Sequence, residues 1–286
     1  MPPLPPYNPY VWRCAERRLA LDGRTRIMGI LNVTRDSFSD GGRFLARDDA
    51  LRQAERMIDE GADIIDVGGE STRPGALPVD AEEEIRRVIP VIGAIGKRFD
   101  VLLSVDTYKS AVARAAVENG ARIINDISGL GFDPHLADVA ATSGAGVVIM
   151  HIKGTPRDMQ TDPHYEDVVA EIHDYLSQRI QTALAHGIHR DQIMLDPGIG
   201  FGKRLEDNLT LLRELARLHD LDAPLLVGVS RKSFIGKLLD TGVGERLEGT
   251  AAAVTAAILH GAHVMRVHDV REMKRVATIA DAIRGV

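Results

Sequence analysis

Seven polar side chains, each at or near the end of a short apolar run, hold most of the chemistry this sequence offers: Asn32, Asp106, Asn125, Asp196, Lys232, Arg266 and His268. Asp196 precedes Pro197, which keeps it in extended backbone and out of a helix cap. A carboxylate fixed there can accept two parallel N–H bonds from the edge of a guanidine-like heterocycle. The amide oxygen of Asn32 suits a hard cation such as Mg²⁺. Lys232 is a point-charge donor, and Ser233 opens a short helix that could hold an anion. Arg266 and His268 alternate along one strand and so share a face. An arginine turned inward from a strand needs a partner, and a phosphate is the expected one.

The intervening turns add further groups. NVTRDSFSDGG (32–42) is long, polar and ends in glycine, as a closing lid would, with Asp36, Phe38 and Asp40 on it. GGESTRPGA (68–76) offers Ser71, Thr72 and Arg73 to an anion, although Pro74–Gly75 is also an ordinary turn. Met150 reads as a pocket wall. His151 reads equally well as a satisfied core histidine. In LDPGIGFGK (195–203) the glycines at 198, 200 and 202 let backbone approach a ligand, with Phe201 stacking on it or walling it. Asp106 or Asn125 taken alone could be a helix cap. What argues for a site is that the seven side chains all fall at the same end of their runs.

Those runs are 26–33, 63–69, 101–106, 122–128, 146–151, 193–198, 225–230 and 263–268. Helical patterns lie between them, over 47–61, 80–97, 108–119, 134–143, 165–186, 204–219 and 246–260, and a last one covers 269–284. Strand then helix, eight times, predicts an α/β fold, a (β/α)₈ TIM barrel with its active site at the C-terminal strand ends. A doubly wound open sheet is the competing architecture, but no GxGxxG occupies the first strand–helix turn. Residues 11–26, with Asp22–Gly23, read as a β-hairpin at the bottom of the barrel. The expected division is an arm and hairpin over 1–24 and a single barrel domain over 25–286.

Bulk properties fit that picture. The 286 residues match a barrel of roughly 250 plus an extension. A net charge of −6 without blocks of like charge argues against nucleic acid or an anionic membrane as partner. The one cysteine, Cys14, allows no internal disulfide and points to a reducing, cytoplasmic setting. No apolar run approaches the ~20 residues of a membrane span, and the proline-rich start lacks the features of a secretory signal. HExxH, paired CxxC and GxSxG are all absent, so structural zinc and a serine triad find no support. The alanine-rich stretch 249–262 is apolar enough either to pack under the last helix or to form a dimer face.

At these residues the chain resembles the bacterial dihydropteroate synthase family of folate biosynthesis, the target of sulfonamides. GILNVTRDSFSDGGRF and DVGGESTRPGA resemble the family's two signature stretches, and SVDTYK, IINDISG, MLDPGIGFGK, GVSRKSF and MRVHDV follow in family order over 24–284. The resemblance implies condensation of 6-hydroxymethyl-7,8-dihydropterin diphosphate with 4-aminobenzoate, with Mg²⁺, by a cytoplasmic homodimer. It implies that Asn32 holds the metal, that Asp106, Asn125, Asp196 and Lys232 bind pterin, and that Arg266 lies over the pterin face. His268 would anchor diphosphate, while Phe38, Thr72, Arg73, Phe201 and Ser233 would wall the aminobenzoate. Asp40 is counted with the catalytic set, and Met150 with the substrate wall. Where the family's first loop reads NVTPDSF, this chain has Arg35, which removes a backbone restraint and adds a charge. Two alternatives remain at this stage: a pterin-binding methyltetrahydrofolate:corrinoid methyltransferase, and a non-catalytic pterin-binding paralogue.

Overall fold

A computed structural model of the chain describes residues 4–5, 7–33, 42–72 and 75–286, with residues 42–46 described by their backbone. Two antiparallel strands come first, β1 (Tyr10–Cys14) and β2 (Arg17–Leu21). Eight strands then form one parallel sheet: β3 (Arg26–Asn32), β4 (Ile64–Gly68), β5 (Leu102–Asp106), β6 (Ile123–Asp126), β7 (Gly146–Met150), β8 (Ile193–Asp196), β9 (Leu226–Val227) and β10 (Val264–Val267). Their order is β8-β7-β6-β5-β4-β3-β10-β9. A single parallel bridge, Leu195 to Leu225, joins the two ends and closes the barrel.

Helices follow the strands: α1 (Gly42–Asp59), α2 (Ala81–Arg98), α3 (Ser110–Glu118), α4 (Leu136–Ser143), α5 (Val168–Ala185), α6 (Leu205–Arg213), α7 (Ser233–Leu239), α8 (Leu247–Leu259) and α9 (Val270–Arg284). The expected (β/α)₈ architecture is therefore present. Capping residues fix some of the boundaries. Asp80 Oδ1 accepts from Glu83 N at 2.7 Å and starts α2, and Asp167 does the same for α5. Two boundaries differ from the sequence pattern. Helix α1 starts five residues earlier than the apolar periodicity indicates, and the 204–219 segment breaks after Arg213 into a 3₁₀ stretch, Leu215–Leu221.

Alternation along the strands sorts the core into two parts. Ile27, Leu31, Ile65, Val67, Leu103 and Val105 face the helices. Met28, Ile64, Leu102, Ile123, Val148, Met194, Leu226 and Val264 face the interior at the N-terminal end, where they pack on Trp12, Cys14 and Leu21 of the hairpin. Trp12 Nε1 donates to the Gln192 carbonyl at 2.7 Å, so the plug is pinned as well as packed. The hairpin is at the bottom of the barrel, as expected, but its turn is not Asp22–Gly23. The chain reverses at Ala15–Glu16, with Ala15 at φ 56°, and pairs Cys14 with Arg17 and Trp12 with Leu19. Reversal there brings Trp12, Cys14 and Leu21 to one surface and leaves 22–25 to lead into β3. Among the described residues no helix is long and apolar enough to cross a membrane.

Candidate active site

Parallel pairing sets a row of neighbours along the C-terminal rim. Asn32 is opposite Gly68, Gly68 opposite Asp106, and Asp106 opposite Asn125. One pleat deeper, Asp66 is opposite Ser104. Arg266 reaches across from β10. Its Nε donates to Asp66 Oδ2 at 2.7 Å and its Nη2 to Asp106 Oδ2 at 2.6 Å. Asn125 Nδ2 donates to the same Asp66 oxygen at 2.9 Å. Side chains from β4, β5, β6 and β10 thus form one network inside the barrel mouth.

Burial sets the electrostatics of this network. It pushes the Asp106 carboxyl up to about 7, against the pull of Arg266 and with the help of Asp66. Burial also works against the Arg266 charge, yet Asp66 and Asp106 outweigh it and raise its pKa. Two protein carboxylates hold its Nε and Nη2, so the partner that an inward strand-borne guanidinium needs is supplied first by the protein itself.

The other half of the mouth is built around Asp196, at the end of β8 and beside Met150 of β7. Asp196 Oδ1 accepts from Gly198 N at 2.7 Å. Burial raises the Asp196 pKa, opposed by the Lys232 charge. Burial lowers Lys232 to about 8, opposed by Asp196. Lys232 Nζ donates to the Ile199 carbonyl and lies 4.2 Å from the Phe201 ring centroid. Gly198 has φ 68°, and a Cβ there would fall 1.9 Å from the His151 carbonyl oxygen, so only glycine fits. Met150 packs with Ile127, Ile152 and Met159, and Tyr108 and Phe201 lean on that cluster, giving the mouth an apolar wall.

The remaining predicted residues are at the rim. Asn32 is exposed at the end of β3, Thr72 is half-buried after β4, and Ser233 is exposed at the start of α7. His268 Nδ1 is 3.0 Å from Ser230 Oγ. Asp40, Phe38, Asp36 and Arg73 lie outside the described residues. His151 proves to be a packed residue, edge-on to Tyr175 at 4.8 Å and bonded to Lys203.

Three residues escaped the sequence reading. Asp66 is fully buried, and strand alternation back from Gly68 would have turned it inward. Lys203 is buried behind the glycine turn. Glu70 accepts from Tyr108 OH at 2.8 Å, from Val79 N at 3.2 Å and from Lys109, which also bonds Glu84 at 2.5 Å. That cluster ties Glu70, just after β4, to Tyr108 and Lys109 beyond β5. Together the two halves offer carboxylates and a carboxamide at the edge of an apolar wall, a geometry suited to a flat, polar-edged ring.

A barrel with this mouth defines a class. The model of the family described as pterin binding enzyme matches residues 28–268, from β3 to just beyond β10. The dihydropteroate synthase of Escherichia coli K12 is 50% identical over 256 residues, 90% of each chain, and that of Synechocystis is 49% identical over 261 residues. A solved Yersinia pestis dihydropteroate synthase with a sulfonamide drug superposes with a TM-score of 0.91 at 45% identity, covering 96% of this chain and 100% of that one. The Xanthomonas albilineans enzyme in complex with 7,8-dihydropteroate gives 0.86 at 44% identity, covering 96% and 99%. The chain belongs to the dihydropteroate synthase family of pterin-binding enzymes.

Proposed function

We infer that this chain joins the pterinylmethyl group of 6-hydroxymethyl-7,8-dihydropterin diphosphate to the amine of 4-aminobenzoate, giving 7,8-dihydropteroate and diphosphate. The observation that carries this reading is the convergence of Asp106, Asn125 and Arg266 on one side of the mouth with Asp196 and Lys232 beside the Met150–Phe201 wall on the other. In this reading Asp106, Asn125, Asp196 and Lys232 hold the pterin edge, Arg266 its face, and His268 the diphosphate. Thr72, Arg73, Phe38, Phe201 and Ser233 belong to the aminobenzoate end, and Asp40 to the catalytic set. Residues 25–286 then act as one pterin-binding barrel domain, with 1–24 as arm and plug.

The reaction proposed is a dissociative substitution at the exocyclic methylene carbon. The C–O bond to diphosphate breaks first, and its electron pair leaves with the diphosphate. The dihydropterin ring takes up the positive charge, which the buried Asp196 carboxylate favours more strongly in the transition state than in the ground state. The arylamine lone pair then forms the C–N bond, and a proton leaves the new ammonium. In this reading the apolar wall of Met150, Ile152 and Phe201 would keep water from the carbon.

Mg²⁺ is part of this proposal. Asn32 presents one carbonyl oxygen at the rim, and among the described residues no group of three His, Cys, Asp or Glu gathers to hold a metal. Asn32 would hold the Mg²⁺ through its amide oxygen, a donor suited to a hard cation that keeps several of its own waters. The ion would offset charge on the leaving diphosphate. We further propose a cytoplasmic homodimer. The groove between α6, α7 and α8, lined by Leu209, Phe234, Leu238, Leu239, Ala252 and Ala256, supports it. Sulfonamides are the expected competitors of aminobenzoate.

A coupled diphosphate-release assay tests the reading. Release that depends on both substrates is the expected result. A methyltransferase or a non-catalytic paralogue would give none.

A further inference from the structure

We infer that Asp66 is the positioning residue that orients the pterin-reading side chains, and so fixes which ligand edge the mouth accepts. This rests on the proposed function. The fully buried carboxylate places both of its hydrogen bonds on Oδ2, one from Arg266 Nε at 2.7 Å and one from Asn125 Nδ2 at 2.9 Å. Oδ1 is buried with no hydrogen-bond partner among the described residues, as is Oγ of Ser104, which stands in register with Asp66 on β5. All the bonding of this side chain is thus directed at two residues of the mouth.

Donor and acceptor chemistry turns that arrangement into a specification. A guanidinium can only donate, so the Asp66 oxygen facing Arg266 must accept. The same oxygen then requires a donor from Asn125, which only the amide NH₂ can provide. The Asn125 carboxamide is therefore not free to flip. Its NH₂ end is committed inward, and its carbonyl oxygen is left to accept from a ligand N–H. On Arg266 the same carboxylate holds Nε while Asp106 holds Nη2, so the guanidinium plane is gripped at two corners. With Asp66 on Nε and Asp106 on Nη2, the guanidinium charge is offset within the network, and the Asn125 carbonyl oxygen and the ring-facing guanidinium plane are what the network presents to a ligand. Asp66 touches no substrate in this account and acts through Asn125 and Arg266.

The test compares wild type with Asp66→Asn, which keeps shape but removes the charge and lets position 66 either donate or accept. Initial rates of diphosphate release are measured with each substrate varied in turn, alongside the thermal midpoint. The expected result is a KM for the pterin diphosphate raised about tenfold or more, with the KM for aminobenzoate within about twofold of wild type. A folded variant with both constants unchanged overturns the inference. If Asp66→Asn does not fold, neutron diffraction from deuterated wild-type crystals reads the Asn125 amide directly. Deuterons on the atom facing Asp66 support the inference, and a carbonyl facing Asp66 overturns it. An inactive wild type would count against the proposed function alone, because the amide orientation is read without turnover.

Discussion

Lys203 Nζ lies 2.9 Å from Nδ1 of His151, and both side chains are buried. Two cations could not share that distance so far from water. Burial drives Lys203 well below its ordinary value, and burial with the Lys203 charge drives His151 down as well. His151 therefore accepts at Nδ1 and keeps its proton on Nε2. Lys203 also donates to the Phe201 carbonyl at 2.9 Å, which ties the glycine turn to β7.

Lys203→Met should leave both acceptors without a donor and cost about 2 kcal/mol or more in stability. The pH dependence has a definite sign. Between its lowered folded value and its ordinary value of 10.5, Lys203 binds fewer protons folded than unfolded, so wild-type stability rises with pH across that window. Urea titrations at pH 7 and pH 9 should show a flatter rise in the variant.

Asp106 has the opposite slope. Its carboxyl is at about 7 in the folded chain against 3.8 ordinarily, so the folded state holds a proton that the unfolded state releases in between. Stability is lost as pH climbs through that window, and Asp106→Asn should remove part of the loss. Thermal midpoints at pH 5 and pH 8 check this. A variant whose midpoints track wild type at both would rule out the carboxyl as the source.

Asp196→Asn should abolish pterin binding while leaving the fold intact, because an amide can accept at only one of its two heads. Calorimetry with the pterin substrate reads the loss. Unchanged affinity would exclude Asp196 as the anchor.

Arg266→Ala should be the most destabilising change at the mouth. It strands Asp66 and Asp106 together, and breaking such a buried pair costs about 3–5 kcal/mol. If the guanidinium serves mainly the ring, affinity for the free pterin alcohol should fall about as far as affinity for the diphosphate. A loss confined to the diphosphate would restore the anion role that the sequence suggested.

Gly146→Ala tests the plug at the other end of the barrel. A Cβ there would meet Cys14 Sγ at 2.9 Å and Trp12 Cε2 at 3.0 Å. Overpacking of this kind costs about 1–3 kcal/mol. Denaturation midpoints should fall while both KM values stay put.

The strand ends were legible because each apolar run stops abruptly at a polar residue, and parallel pairing then aligns those stops without further information. Asn32, Asp106 and Asn125 needed nothing more. Asp66 was hidden because it interrupts an apolar run in the middle, where a lone carboxylate looks like noise until Arg266 appears 200 residues later. The Lys203–His151 bond spans 52 positions and links residue types that ordinarily repel. The hairpin turn was misplaced for a local reason: Asp22–Gly23 is the better turn dipeptide, but packing of Trp12 and Leu21 against the barrel floor outweighs turn preference.

Strands β8 and β9 meet through little more than the Leu195–Leu225 bridge, whereas the other neighbouring strands pair over at least two residues. This is the seam where the cylinder is least stitched. Asp196 caps one lip of it, and Lys232 stands just beyond the other. A guest gripped by both would act as the missing stitch, so the backbone amides along this seam should exchange with solvent more slowly once the mouth is filled than in the empty protein. Occupancy could then be read from the wall of the barrel without observing the guest at all.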